Sequence, residues 1–368
     1  MSGRIKSHRV FLLLFVLLQL PLAAGVALFN YYIDPMWCFD HANRYNSTQE
    51  DIDDRQQKTN YLTFVKKGFD TLIIGNSRVK MMNQFEFGPK AFNYALNGMT
   101  PKEYNAYIDY ARKANGKDFD VIVVGLSFAM TNSAFEYPSG HEPSFYFKNA
   151  TRPGYRWQML LSGDAFSHAW TNLRHSLKND STVSFDRNTV EHVNLGRVNV
   201  EQQLQMGLID TRDTYRKNYH YLEEFRSILE TIKKNNPHSR IVAFTTPVTE
   251  PLYSAMVEQG RFPEYRRFLK EAVEVFGEVH HFEYLNSVTK DYRRHFMDGH
   301  HYLPATADLM IHRMQGKPDP AVPADFGMLL NSSNFEEKLA QLETESVASL
   351  KKTNPSADPA ASASTSRK

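Results

Sequence analysis

The hydrophobic pattern divides the chain into three regimes. Val10–Phe29, VFLLLFVLLQLPLAAGVALF, carries no charge, and at about 20 residues it is long enough to cross a bilayer. From Asp70 to Met314, short apolar runs alternate with stretches of helical spacing. Beyond Gln315 the chain turns proline-rich, passes a short amphipathic segment, Asn334–Leu350, and ends in Ala, Ser, Pro and Lys.

The middle regime predicts strands over Asp70–Gly75, Ala91–Leu96, Phe119–Leu126, Ser239–Thr245 and Glu278–Tyr284. Leu72, Ile73 and Ile74 form an unbroken apolar run, the mark of a strand covered on both faces. Helical spacing is predicted near Arg55–Lys67 and over Pro101–Ala114, Trp157–Ser176, Tyr215–Asn235 and Pro263–Phe276. Thr100 is placed to cap the helix that begins with Pro101. Strands alternating with helices predict an α/β fold, a doubly wound, mostly parallel sheet. A flavodoxin-like strand order, 2-1-3-4-5, is the simplest that keeps every crossover right-handed.

The predicted organisation is a cytoplasmic N-terminus (residues 1–9), a transmembrane anchor (10–29), a polar connector (30–69), the α/β domain (70–314) and a proline-rich, disordered tail (315–368). Within the domain, residues 134–210 are too long for an ordinary strand-to-helix connection. They read as an insertion, either a lid over a site or a surface subdomain. Arg4, Lys6 and Arg9 precede the apolar run, so the N-terminus is expected in the cytoplasm and the remainder outside it. A cleaved signal peptide is the competing reading. The run continues past Ala23, Ala24 and Gly25 to Phe29, which favours an uncleaved anchor.

Composition changes this picture only by exclusion. A net charge of +2 gives no field for nucleic acid. A single cysteine, Cys38, rules out an intramolecular disulfide or a multi-cysteine metal site. His280-His281 and His300-His301 are paired, but neighbours in a strand point to opposite faces, and neither a metal nor a cofactor is expected.

Two short motifs carry chemistry. In Thr71–Arg78, TLIIGNSR, Ser77 follows the first strand, at the carboxyl edge where open α/β sheets bind ligands. The plainer reading makes Ser77 a helix cap. In Phe296–Tyr302, FMDGHHY, Asp298 and His301 are three residues apart, so the carboxylate can hold one ring nitrogen while the other faces a cleft. A serine hydroxyl is a poor nucleophile at neutral pH and needs such a base. His300 is a rival base, less easily aligned with Asp298. The serine follows the first sheet strand and the Asp–His pair the last, so both reach one edge. Two other serine or phosphate motifs fail. The G-x-S-x-G elbow has Val79 at its last position, and Gly75-Asn76-Ser77-Arg78 lacks the end of a phosphate loop.

In this order of motifs the chain resembles the SGNH (GDSL-like) hydrolase superfamily. Gly75-Asn76-Ser77 stands for its first block, with Asn76 in place of Asp; Gly98, in Asn97-Gly98-Met99-Thr100, for its glycine block; Gly125-Leu126-Ser127-Phe128 for its third; and Asp298-Gly299-His300-His301 for its last. The resemblance implies a nucleophile Ser77, a base His301 and an orienting Asp298. It also implies an oxyanion hole drawn from Ser77, Gly98, Asn97 and Ser127, with Ser127 where the family carries asparagine. It further implies a membrane-anchored extracytoplasmic esterase or O-acyltransferase acting on an acylated saccharide or envelope polymer, beside a multispanning membrane acyltransferase. The alternative is an inactive module that binds a glycan or a partner, with Phe145, Tyr146, Tyr155 and Trp157 suited to sugar stacking.

Overall fold

The computed structural model describes residues 2–135, 137 and 139–353. The described residues divide into two compact units, one of 2–66 with 146–189 and the other of the described residues between 67 and 145 with 190–353.

The second unit is α/β, built on a six-stranded sheet of β1 (Thr71–Ile74), β2 (Ala91–Asn93), β3 (Val121–Leu126), β4 (Arg240–Thr245), β5 (Glu278–His281) and β6 (Met328–Asn331). The spatial order is β2-β1-β3-β4-β5-β6. The first five strands run parallel, in the order anticipated, with Thr71 opposite both Ala91 and Val121, and Val121 opposite Arg240. β6 joins antiparallel, Val279 facing Leu330. β1 is buried at all four positions. On one face Ile73, Val123, Phe244 and Phe282 pack with Val79, Met82, Met310 and Ile311. Helix Pro101–Asn115 begins with a capping box between Thr100 and Glu103. It packs against helix Phe225–Asn235, which packs in turn on Phe262–Phe276.

Glycine decides how tightly the first turn closes. A Cβ on Gly75 would lie 2.5 Å from Val79 Cγ2 and 3.2 Å from the Gly125 carbonyl oxygen. Val79 thus wedges between the ends of β1 and β3 and seats the turn that carries Ser77. Gly75→Ala is expected to cost about 1–3 kcal/mol by overpacking, read as a lowered thermal midpoint of the detergent-solubilised chain.

The first unit holds the apolar helix Ser2–Ile33, of which Leu13–Ile33 is long and apolar enough to cross a membrane. It outruns the anticipated 10–29 at both ends because no helix breaker flanks that run. Just past it, Arg187 donates to the Asp34 carboxylate at 2.6 Å and to the carbonyls of Asp34, Phe39 and His41. Trp37 packs edge-on against Phe185.

Three expectations are corrected. The polar connector is more than a linker: the helix expected near Arg55–Lys67 is there, at Asp54–Asn60, but it is buried along its whole length, and Gln57 donates to the carbonyls of Pro35 and Glu50. Polar side chains here are inside because they have partners there: Gln57 and Asn60 donate to backbone carbonyls, and Gln56 donates to the Asn60 side chain. The 134–210 insertion is not one piece, since 146–189 clusters with the N-terminal unit and the remainder with the sheet. The 315–368 segment is not disordered throughout, and its amphipathic stretch Asn334–Leu350 is the helical part. It supplies β6 and the helix Phe335–Thr353, whose Phe335, Leu339, Leu342 and Leu350 are buried. The last part of that expected tail, 354–368, lies outside the described residues.

Candidate active site

Ser77 opens the short helix Ser77–Lys80 directly beyond β1. Asn76, not Ser77, is the cap: its Oδ1 accepts the Arg78 amide at 3.1 Å. That leaves the Ser77 hydroxyl free to bond elsewhere. The turn holding Asp298 and His301 is closed by the bridge between Phe296 and Tyr302 and by the Met297 amide donating to the His301 carbonyl. Gly299 lies between the two, so close to Leu252 that a Cβ would come within 2.7 Å of it.

The structure brings Ser77, His301 and Asp298 together. Asp298 Oδ1 accepts the amides of His300 and His301, each at 2.6 Å. Its Oδ2 lies 2.7 Å from His301 Nδ1, and His301 Nε2 lies 2.8 Å from Ser77 Oγ. An ionised carboxylate only accepts, so Nδ1 carries the proton and Nε2 accepts from the serine hydroxyl. Burial opposes ionisation of Asp298, but the hydrogen bond and charge of His301 and the two amides outweigh it. Its carboxyl is held well below the ordinary carboxylate range.

The anticipated oxyanion donors separate into two groups. Ser77 and Gly98 line a cavity of about 200 Å³ together with His301. Gly98 has φ +60°, a conformation glycine adopts without strain, and Ser77 stands in a first helical turn, where amides have no partner in their own helix. Ser127 and Asn97 are not among the residues lining that cavity. Asn97 Oδ1 accepts from the buried Lys80 ammonium at 2.8 Å. Ser127 Oγ accepts from Arg78 Nη1 at 2.7 Å, so its place in the third block serves to hold the arginine.

Sequence reasoning missed that arginine. Arg78 is buried, and it donates to Thr246 Oγ1 at 3.2 Å and to His300 Nδ1 at 3.0 Å. A guanidinium has no acceptor, so His300 Nδ1 is unprotonated and Nε2–H is the donor, 3.4 Å from Thr211 Oγ1. Burial, then the charges of Arg78 and His301, push His300 down to about 3. His300 is therefore neutral and tied to Arg78, not a second base for Ser77. Glu283 completes the buried cluster. Burial pushes its carboxyl up to about 7, against the pull of Arg78 and of the Phe128 amide 3.3 Å away. The sequence offered only a charged residue directly after the serine and another two residues past β5, with nothing local to show that the two meet.

One wall of the cavity is apolar, with Ala129, Met130 and Phe135, and another is polar, with Asp210 and Thr211. Phe135 and Asp210 fall inside the anticipated insertion, at its two ends. Of the paired histidines, His281 is locked between Thr245 Oγ1 at 2.8 Å and the Tyr265 hydroxyl at 2.9 Å, and burial pushes it down to about 3. Among the described residues no group of three or more His, Cys, Asp or Glu is placed to hold a metal ion. Comparison of the chain with protein-family models, curated proteins and solved structures gives no match.

Proposed function

We propose that the protein is a serine ester hydrolase or acyltransferase of SGNH type. The observation that carries this reading is the unbroken chain from Ser77 Oγ through His301 to Asp298, 2.8 and 2.7 Å long, at the carboxyl edge of a parallel sheet. Ser77 Oγ attacks the acyl carbonyl while His301 Nε2 takes its proton, and Asp298 stabilises the imidazolium that results. The amides of Ser77 and Gly98 receive the developing oxyanion. Collapse expels the alcohol, protonated by His301, and leaves the acyl group on Ser77. Water or an acceptor hydroxyl then gives its proton to His301, attacks the acyl carbon and releases Ser77.

The N-terminal helix acts in this reading as an uncleaved anchor, with the basic residues Arg4, Lys6 and Arg9 keeping its start in the cytoplasm and the α/β unit outside. An acylated saccharide or envelope polymer is the proposed substrate, with a multispanning acyltransferase as partner. A second reading, an inert binding module, draws on one observation: Ser127 is committed to Arg78 and absent from the cavity wall. A fluorophosphonate probe separates the two. In the folded, membrane-inserted protein, phosphonylation mapped by mass spectrometry to Ser77 is expected. Folded protein that stays unlabelled at Ser77 would overturn the hydrolase reading in favour of the binder.

A further inference from the structure

The first unit carries an apolar stripe that its own fold does not cover. Helix Gly163–Lys178 buries one narrow side, Ala165, Ala169 and Asn172, and packs along the long apolar helix Ser2–Ile33. The adjacent side repeats large apolar residues at helical spacing: Phe166, Trp170, Leu173 and Leu177. Trp170 is 61 % exposed, Leu177 63 % and Phe166 39 %. The preceding helix, Tyr155–Leu160, adds Trp157, 60 % exposed, and Leu161 follows it at 62 %. Isolated exposed apolar residues are ordinary, but this many large ones on two consecutive helices is not.

What covers them follows from their neighbour. The stripe meets the last turns of the apolar helix, with the Phe29 ring 5.2 Å from Phe166 and 6.2 Å from Trp170. Leu18, Leu20, Leu22 and Leu28 on that helix are each more than half exposed. The two apolar surfaces are therefore continuous. Over residues 146–178 the chain carries Lys148, Arg152, Arg156, Arg174 and Lys178 against one acidic residue, Asp164. Tryptophan at an apolar edge beside basic residues is the composition suited to the boundary between lipid headgroups and acyl chains.

We infer that helix Gly163–Lys178 lies in the membrane interface, with Phe166, Trp170 and Leu177 in lipid, as a second attachment beside the spanning helix. The inference rests on the N-terminal helix being in the bilayer and is independent of the chemistry at Ser77. A partner protein would also cover an apolar face, but the continuity with the spanning helix and the basic flank favour lipid.

The three tryptophans provide the test, because Trp37 is buried while Trp157 and Trp170 are exposed. The full chain is reconstituted into phosphatidylcholine vesicles, with acyl chains either plain or brominated near the headgroup. Vesicle flotation first reports whether the chain is membrane-bound. In the Trp157→Phe variant, brominated lipid is expected to remove about half of the emission, and aqueous iodide little, because an interfacial indole sits roughly 5–10 Å into the bilayer. In Trp157→Phe with Trp170→Phe, only Trp37 remains and the lipid quenching disappears. A chain that floats but whose Trp170 is quenched by iodide and not by brominated lipid overturns the inference, and is the result a protein-covered face would give. A chain that does not float overturns the membrane reading and this inference with it.

Discussion

Alanine at Ser77 is expected to lower turnover of a short-chain acyl ester by about 10⁴–10⁶-fold in kcat, to whatever the oxyanion donors and cavity retain. His301→Ala is expected to fall as far, because its Nε2, 2.8 Å from Ser77 Oγ, is the group placed to take the hydroxyl proton. The double variant is expected to be no worse than either single one, since a nucleophile without its base and a base without its nucleophile lose the same step. Asp298→Asn is expected to lose about 10³–10⁴-fold, because an amide facing Nδ1 can turn the imidazole to the wrong tautomer. Asp298 also accepts the amides of His300 and His301, so its replacement loosens the turn, whereas Ser77→Ala leaves the fold intact. Initial rates on p-nitrophenyl acetate, with the thermal midpoint measured in parallel, check all four. Equal activity in Ser77→Ala and the parent chain would move the nucleophile elsewhere.

The parallel sheet was readable because its strands declare themselves locally. Leu72–Ile74 and Val121–Val124 are unbroken runs of residues that fit only a strand covered on both faces. β6, Met328–Asn331, was not readable, because an antiparallel edge strand is half-covered and its burial alternates weakly. Asp54–Asn60 misled for the opposite reason. Its residues read as the end of a polar connector, yet they are buried by partners such as Pro35 and Met36 that lie far back along the chain. Polarity records what a side chain can bond to and not whether the partner is water. At the site, Ser77, Asp298 and His301 could be picked out because each sits in a short local motif. Arg78, Thr246 and Glu283 could not, since their meeting depends on three strand ends converging. The same convergence explains Ser127: a residue can stand at a motif's position and serve a neighbour the motif lacks.

Arg78→Met is expected to be the most destabilising single change in the site, by about 3–5 kcal/mol, because it leaves a buried acid without its counter-charge. Thr246 Oγ1, Ser127 Oγ and His300 Nδ1 also lose their donor. The sign of the pH dependence identifies the cause. Burial holds Glu283 up at about 7 in the folded chain, above its ordinary value of 4.5. The folded state therefore keeps a proton that the unfolded state has released. The stability from this group is fully present below the ordinary value, and is lost as pH rises through about 7, on the order of 3 kcal/mol in all. Glu283→Gln, neutral at every pH, is expected to remove that decline, so its midpoint advantage over the parent grows between about pH 5 and pH 8. Without the Arg78 charge, Glu283 holds its proton to still higher pH, so the cost of Arg78→Met is larger at about pH 8 than at about pH 5. Combining Arg78→Met with Glu283→Gln then recovers most of the loss, because the uncompensated charge is gone and only the unpaired acceptors remain. A loss that is the same at both pH values and survives the Gln replacement would place the role of Arg78 in its hydrogen bonds to Ser127, Thr246 and His300 instead of in its charge.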